Sequence, residues 1–174
     1  VGCHGAPLTS KEEVQDVATA HRDAYAFIYN QSVRAINKGM TPDEMANSIR
    51  LPQHLDQHPW LYPGYIDNEY SFRGQYSGIV GWYAEDTADL HPPTPEELGS
   101  VVVEGFGGSD KLIAKATEAF NEKKYNLTAK LLSYVLSAEP AHQAAKQLKA
   151  DALRAMAQTT RAGIQTRNFL MTHA

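Results

Sequence analysis

The stretch Ser10–Lys38, SKEEVQDVATAHRDAYAFIYNQSVRAINK, decides the fold class. It holds no glycine and no proline. Ser10 with Glu13 three residues on has the capping-box form, in which a hydroxyl and a carboxylate satisfy early backbone N–H groups of a helix. Val14, Val17, Ala18, His21, Tyr25, Ile28, Ser32, Ala35 and Ile36 then recur at helical spacing. Gly39 supplies the left-handed stop that helices often use. The pattern predicts one long helix over about 11–37, with His21 on its inner face as a packing histidine.

Working outward, Thr41-Pro42-Asp43-Glu44 is a second start signal, with Thr as cap and Pro in the first helical position. A short helix to about Arg50 is expected, closed by Pro52 because the residue before proline disfavours helix. Residues 52–68 are rich in proline and aromatic side chains and are expected to be irregular. The segment 69–83 carries Gly74, Gly78 and Gly81, three and four apart on one helical face. It predicts a tightly packed helix whose glycine stripe admits another backbone. His91 to Glu97 reads as a hinge followed by a helix capped at Thr94 and ended by Gly105, Gly107 and Gly108.

From residue 110 the chain changes character. Asp110 is expected to cap a helix carrying Leu112, Ile113, Ala116, Ala119 and Phe120. A turn at Asn121–Tyr125 leads to a helix with Leu127, Leu131, Leu132, Val135 and Leu136, and after Pro140 comes a third with Ala144, Ala145, Leu148, Ala152 and Leu153. This resembles about one and a half tetratricopeptide units, whereas a full array needs roughly three or more repeats. The fold class is therefore mostly α, a long helix and short helices followed by a tetratricopeptide-like helical subdomain. A non-catalytic helical protein-interaction module is one reading of such a chain.

The 174 residues carry 16 Lys and Arg against 20 Asp and Glu, a formal net charge of -4. Mild acidity argues against a nucleic-acid partner, which calls for a basic stripe. No apolar run approaches the roughly 20 residues that span a bilayer. The single cysteine, Cys3, excludes a disulfide scaffold within the chain. The seven histidines form no His-x-His or His-Glu-x-x-His cluster. His54 and His58 lie four apart between prolines and read as polar loop residues. Asn126-Leu127-Thr128 matches a glycosylation acceptor but falls inside an expected helix. Taken residue by residue, the chain holds no complete active site. It opens on Val1, not Met, and is expected to be a piece of a longer protein.

An ordered set of segments resembles one family, the zinc-dependent alkyl sulfatases of the metallo-beta-lactamase superfamily. Cys3-His4-Gly5-Ala6-Pro7 resembles the loop that closes the metallohydrolase domain. Arg22-Asp23-Ala24-Tyr25, Asn30 to Arg34 and Asn37 to Glu44 follow, then Leu51-Pro52-Gln53-His54-Leu55, Tyr65 to Arg73, Tyr76, and Gly81-Trp82-Tyr83. Ala138-Glu139-Pro140, Leu148 to Leu153 and Arg167-Asn168-Phe169-Leu170 resemble the dimerisation region and its ending.

The resemblance implies a division into 1–9, the end of a metallo-beta-lactamase-like domain; 10–108, dimerisation helices and aromatic loop; and 109–174, the tetratricopeptide-like subdomain. It implies a homodimer, a metallohydrolase segment upstream of residue 1 and a sulfate-ester substrate. It implies two zinc ions in the parent protein, with His4 the one candidate ligand here. Arg73, Tyr70 and Tyr76 are the implied substrate-binding residues, and the aromatic loop at 54–65 an alkyl-chain lining. A guanidinium fork suits an oxyanion; a salt bridge from Arg73 to Glu69 or Asp67 is the equal alternative. Gly5 and Tyr70 stand where the family commonly has histidines.

Overall fold

The computed structural model describes residues 6–62, 67–84, 86–160 and 163–174, and of residues 164 and 165 the backbone alone. Among the described residues every regular element is helical. The chain forms two compact units, Val1–Asp86 and Thr87–Ala174.

In the first unit, α1 spans Lys11–Ile36. Ser10 Oγ accepts from the Glu13 N–H at 3.0 Å, as expected. The Glu13 carboxylate reaches one residue further back, to the Thr9 N–H at 2.6 Å. Gly39 takes φ 75, which lets the Met40 N–H return to the Ala35 carbonyl at 3.1 Å. The second helix, α2 (Pro42–Ser48), has a complete capping box between Thr41 and Glu44. Within the stretch expected to be irregular lie a one-turn helix, α3 (Gln53–Asp56), and a 3₁₀ turn, Pro59–Leu61. Next, α4 (Asn68–Ile79) is capped by Asp67, whose carboxylate accepts from the Glu69 N–H.

The core of this unit joins Ile28 and Ala35 of α1, Met45 of α2, and Phe72 and Tyr76 of α4. The buried face of α1 is Ala20, Ala24, Ile28, Ser32 and Ala35. The apolar periodicity of the sequence also included Val14 and Tyr25, yet these are 49% and 69% exposed, and Tyr29 lies in the open with them. So α1 carries two apolar faces, one of them uncovered within the chain. Among the described residues nothing packs on the glycine stripe of α4. Gly74 and Gly78 face open space, and Gly81 lies past the end of α4 at φ 113.

One buried group sits badly in this core. The Ser32 hydroxyl has no hydrogen-bond partner among the described residues, although Ser32 is fully buried. A buried hydroxyl left unpaired costs about 1–3 kcal/mol. Ser32→Ala is therefore expected to stabilise the unit by about 1 kcal/mol, raising Tm by several degrees in a thermal melt. A lowered Tm would show that the hydroxyl has a partner.

The second unit begins with a 3₁₀ turn, Thr87–Leu90, and continues as α5 (Pro95–Gly105), α6 (Ser109–Asn121), α7 (Tyr125–Ala138), α8 (Gln143–Thr159) and α9 (Ile164–Thr172). Thr94 caps α5 through a complete capping box with Glu97. The Thr94 N–H and hydroxyl hold the Glu97 carboxyl below its ordinary pKa. The cap of α6 is Gly108, at φ 110, and not Asp110, which falls in the first turn. There the acid still complements the positive end of the helix.

The hub of this unit is α7, on which α5, α6 and α8 all pack, with α9 on α8. Leu112, Ala116, Leu132, Val135 and Ala145 form its core. Phe120 meets Tyr125 edge to face at 5.3 Å across the α6–α7 turn. Thr128 is fully buried, with its hydroxyl shared between the Lys124 and Ala116 carbonyls at 3.1 and 3.3 Å. The acceptor-like Asn-Leu-Thr triplet is thus part of a helix contact. Helix α5 packs on α7. The contact rests on Gly99, where a Cβ would lie 2.7 Å from the Tyr134 carbonyl oxygen and 2.9 Å from Ser137 Cβ.

Candidate functional site

Arg73 lies in the middle of α4, between buried Phe72 and exposed Gly74. Its Nε donates to Asp43 Oδ1 at 2.9 Å. Its Nη1 lies 3.8 Å from Glu69 Oε2 and reaches the Glu69 carbonyl oxygen at 3.5 Å. The guanidinium therefore ties α4 to the first turn of α2. The pairing with Glu69 could be read from i,i+4 spacing. The pairing with Asp43, 30 residues away, needed the fold. Asp67 instead serves as the helix cap. The Arg73 side chain is 36% exposed and that of Asp43 77%, so the pair contributes about 0–1 kcal/mol. Its main effect is to orient the fork.

Tyr70 stands one turn before Arg73 and is 45% exposed. Tyr76, one turn after it, is 2% exposed and belongs to the core. The helix brings Arg73 and Tyr70 to solvent together and turns Tyr76 inward. His4 lies outside the described residues, as do Cys3, Gly5 and Tyr65.

The remaining histidines have local tasks. His58 accepts at Nδ1 from the Trp60 N–H at 3.3 Å and approaches Asp16 Oδ2 through Nε2 at 3.1 Å. The neutral ring thus carries its proton on Nε2 and donates it to Asp16. With both nitrogens engaged, His58 fastens the aromatic segment to α1. His21 Nδ1 bonds the Val17 carbonyl at 2.9 Å, as a packing histidine would. His54 is exposed on α3. Among the described residues no three His, Cys, Asp or Glu side chains converge to hold a metal ion. Those residues do not by themselves fit a zinc centre. No helix among them is long and apolar enough to cross a membrane.

The sequence profile described as alkyl sulfatase dimerisation matches residues 41–174, more than half of the chain. The chain belongs to the alkyl sulfatase dimerisation family. Among the members' relatives, a linear primary-alkylsulfatase of a Pseudomonas species is 35% identical over 155 residues, 88% of this chain and 29% of that protein. An alkyl/aryl-sulfatase of Saccharomyces cerevisiae is 30% identical over 151 residues, 86% of this chain and 23% of its own length. The solved structure of the stereoselective inverting sec-alkylsulfatase Pisa1 from Pseudomonas superposes with a TM-score of 0.92 at 30% identity, covering 97% of this chain and 27% of that one. The chain spans about a quarter of the length of the curated relatives it matches. The mostly α fold expected for an alkyl sulfatase dimerisation domain is the fold observed.

Proposed function

We propose that this chain is the dimerisation part of a zinc-dependent alkyl sulfatase and assembles as a homodimer. The observation that carries the reading is the second apolar face of α1, where Val14, Tyr25 and Tyr29 remain exposed on a helix whose other face fills the core. The open glycine face of α4, beside exposed Tyr70, offers a close approach for a second backbone. A two-fold axis would let the same patch meet itself. The chain is expected to sediment as a dimer at micromolar concentration. The double variant Tyr25→Glu/Tyr29→Glu is expected to sediment as a monomer with unchanged circular dichroism. A wild-type monomer under the same conditions would overturn this reading.

The activity proposed for the sulfatase containing this chain is hydrolysis of alkyl sulfate esters. In it Arg73 and Tyr70 face the sulfate. Tyr76, in the core, holds α4 in place beneath them. The zinc ions are held mainly by residues outside this chain, with His4 contributing one imidazole. Two variants separate a substrate contact from a fold contact. Arg73→Ala removes a charge-assisted bond of about 1.5–3 kcal/mol, so kcat/KM for an alkyl sulfate is expected to fall about ten- to a hundredfold. Asp43→Asn breaks the same ion pair but keeps the guanidinium, and is expected to cost less than threefold. Equal losses in the two variants would make Arg73 a purely structural residue.

A further inference from the structure

The chain is acidic overall, but its charge is segregated. Residues 1–139 carry eleven Lys and Arg against nineteen Asp and Glu, whereas residues 140–174 carry five against the single Asp151. The structure concentrates part of that positive charge at a groove. It measures about 410 Å³ and opens between the end of α7, one face of α8 and the end of α9. That volume lies within the range of small-molecule sites.

The lining has two chemistries. Leu136 and Ala150 supply an apolar floor, and Lys146 and Lys149 stand on the α8 face around it. The one acidic side chain of this region is already engaged, and the terminal residue Ala174 also lines the groove. Asp151 Oδ1 accepts from Arg154 Nη1 at 3.0 Å and from Gln147 Nε2 at 3.1 Å. No ion pair is formed by Lys146 or Lys149 among the described residues. Among the described residues the two ammonium groups therefore have no carboxylate within ion-pair distance. His173 also lines the groove. Its Nδ1 donates to the Phe169 carbonyl at 2.8 Å and its ring stacks on Phe169 at 5.0 Å, which holds the ring in place.

We propose that this groove binds a small amphiphilic monoanion, an oxoanion head on Lys146 and Lys149 with a short apolar tail on Leu136 and Ala150. Sulfate and carboxylate heads share the chemistry that the two ammonium groups recognise. The apolar floor distinguishes a tailed anion from a bare one. The inference does not depend on the dimer or on alkyl sulfate hydrolysis.

The test is a titration of the 174-residue chain by isothermal calorimetry and amide chemical shifts. Four probes are used below micellar concentration: octyl sulfate, octanoate, inorganic sulfate and octyl glucoside. Octyl sulfate and octanoate are expected to bind and to move amides of α8 and α9. Inorganic sulfate is expected to bind at least tenfold more weakly, and octyl glucoside not at all. The variant Lys146→Gln/Lys149→Gln alters two surface side chains and should keep the circular dichroism of the parent. It is expected to weaken octyl sulfate binding at least tenfold. Equal binding of octyl glucoside would overturn the proposal in favour of simple apolar adsorption. Equal binding of inorganic sulfate would overturn the tail contact. Unchanged affinity in the double variant would remove the site altogether.

Discussion

Replacing Gly99 by alanine is expected to be among the most damaging single-methyl changes possible in this chain. The added Cβ would lie 2.7 Å from the Tyr134 carbonyl oxygen, 2.9 Å from Ser137 Cβ and 3.2 Å from the Ala138 nitrogen. Two of these are backbone atoms of α7, locked in that helix's own hydrogen bonds, so they cannot rotate aside as a side-chain tip would. Overpacking of a tight contact costs about 1–3 kcal/mol and occasionally more. Alanine's better helix propensity returns at most about 1 kcal/mol. Because α7 is the hub of the unit, a displaced α5 exposes its apolar side, and the loss is expected near the upper end. A net cost of about 2 kcal/mol lowers Tm by roughly 8–16 °C for a unit of this size. Gly105→Ala is the control. It lies on the same helix with nothing within 4 Å of the new carbon, so Tm should stay within a degree or two. Equal melts for the two variants would sink the close-crossing interpretation.

Phe72→Ala is expected to have the largest effect in the first unit. Phe72 is fully buried and meets Ile28, Ala35, Met45 and Tyr76 in one cluster. Truncation of a buried phenylalanine costs about 3–5 kcal/mol, the lost transfer energy plus the cavity left behind. The total stability of a domain is only about 5–15 kcal/mol. The variant should thus lose more than ten degrees in Tm and unfold at a much lower urea concentration with an unchanged slope. Tyr70→Ala, two residues away on the exposed side of α4, should shift stability by no more than about 0.5 kcal/mol. A mild Phe72→Ala phenotype would mean that the cluster collapses onto the vacancy or is not the unit's core.

These effects mark the limit of what the chain spells out locally. Helix starts are written in short range, and the caps at Ser10, Thr41 and Thr94 all form as the spacing implied. The stop at Gly39 is equally local. Tertiary choices are not. Gly74, Gly78 and Gly99 look alike in sequence, yet only Gly99 meets a neighbouring backbone within the chain. The two apolar faces of α1 overlap in one periodicity, so spacing alone could not separate Ile28, inside, from Tyr25, outside. At the candidate site, Glu69 was within helical reach of Arg73 and was legible. Asp43 came from another helix, and Tyr76 turned inward because its packing partners lie on α1 and α2.

The crossing at Gly99 also acts on alignment. Of the eleven residues of α5, the nearest other glycine is Gly105, six positions on and about 240° round the helix. Sliding α5 along α7 by one residue would drive Leu98 or Ser100 into the Tyr134 carbonyl, and a full turn would bring Pro95 or Val103 there. One missing side chain thus works as an index mark: α5 has a single seat on α7, and neighbouring seats are closed by their own side chains.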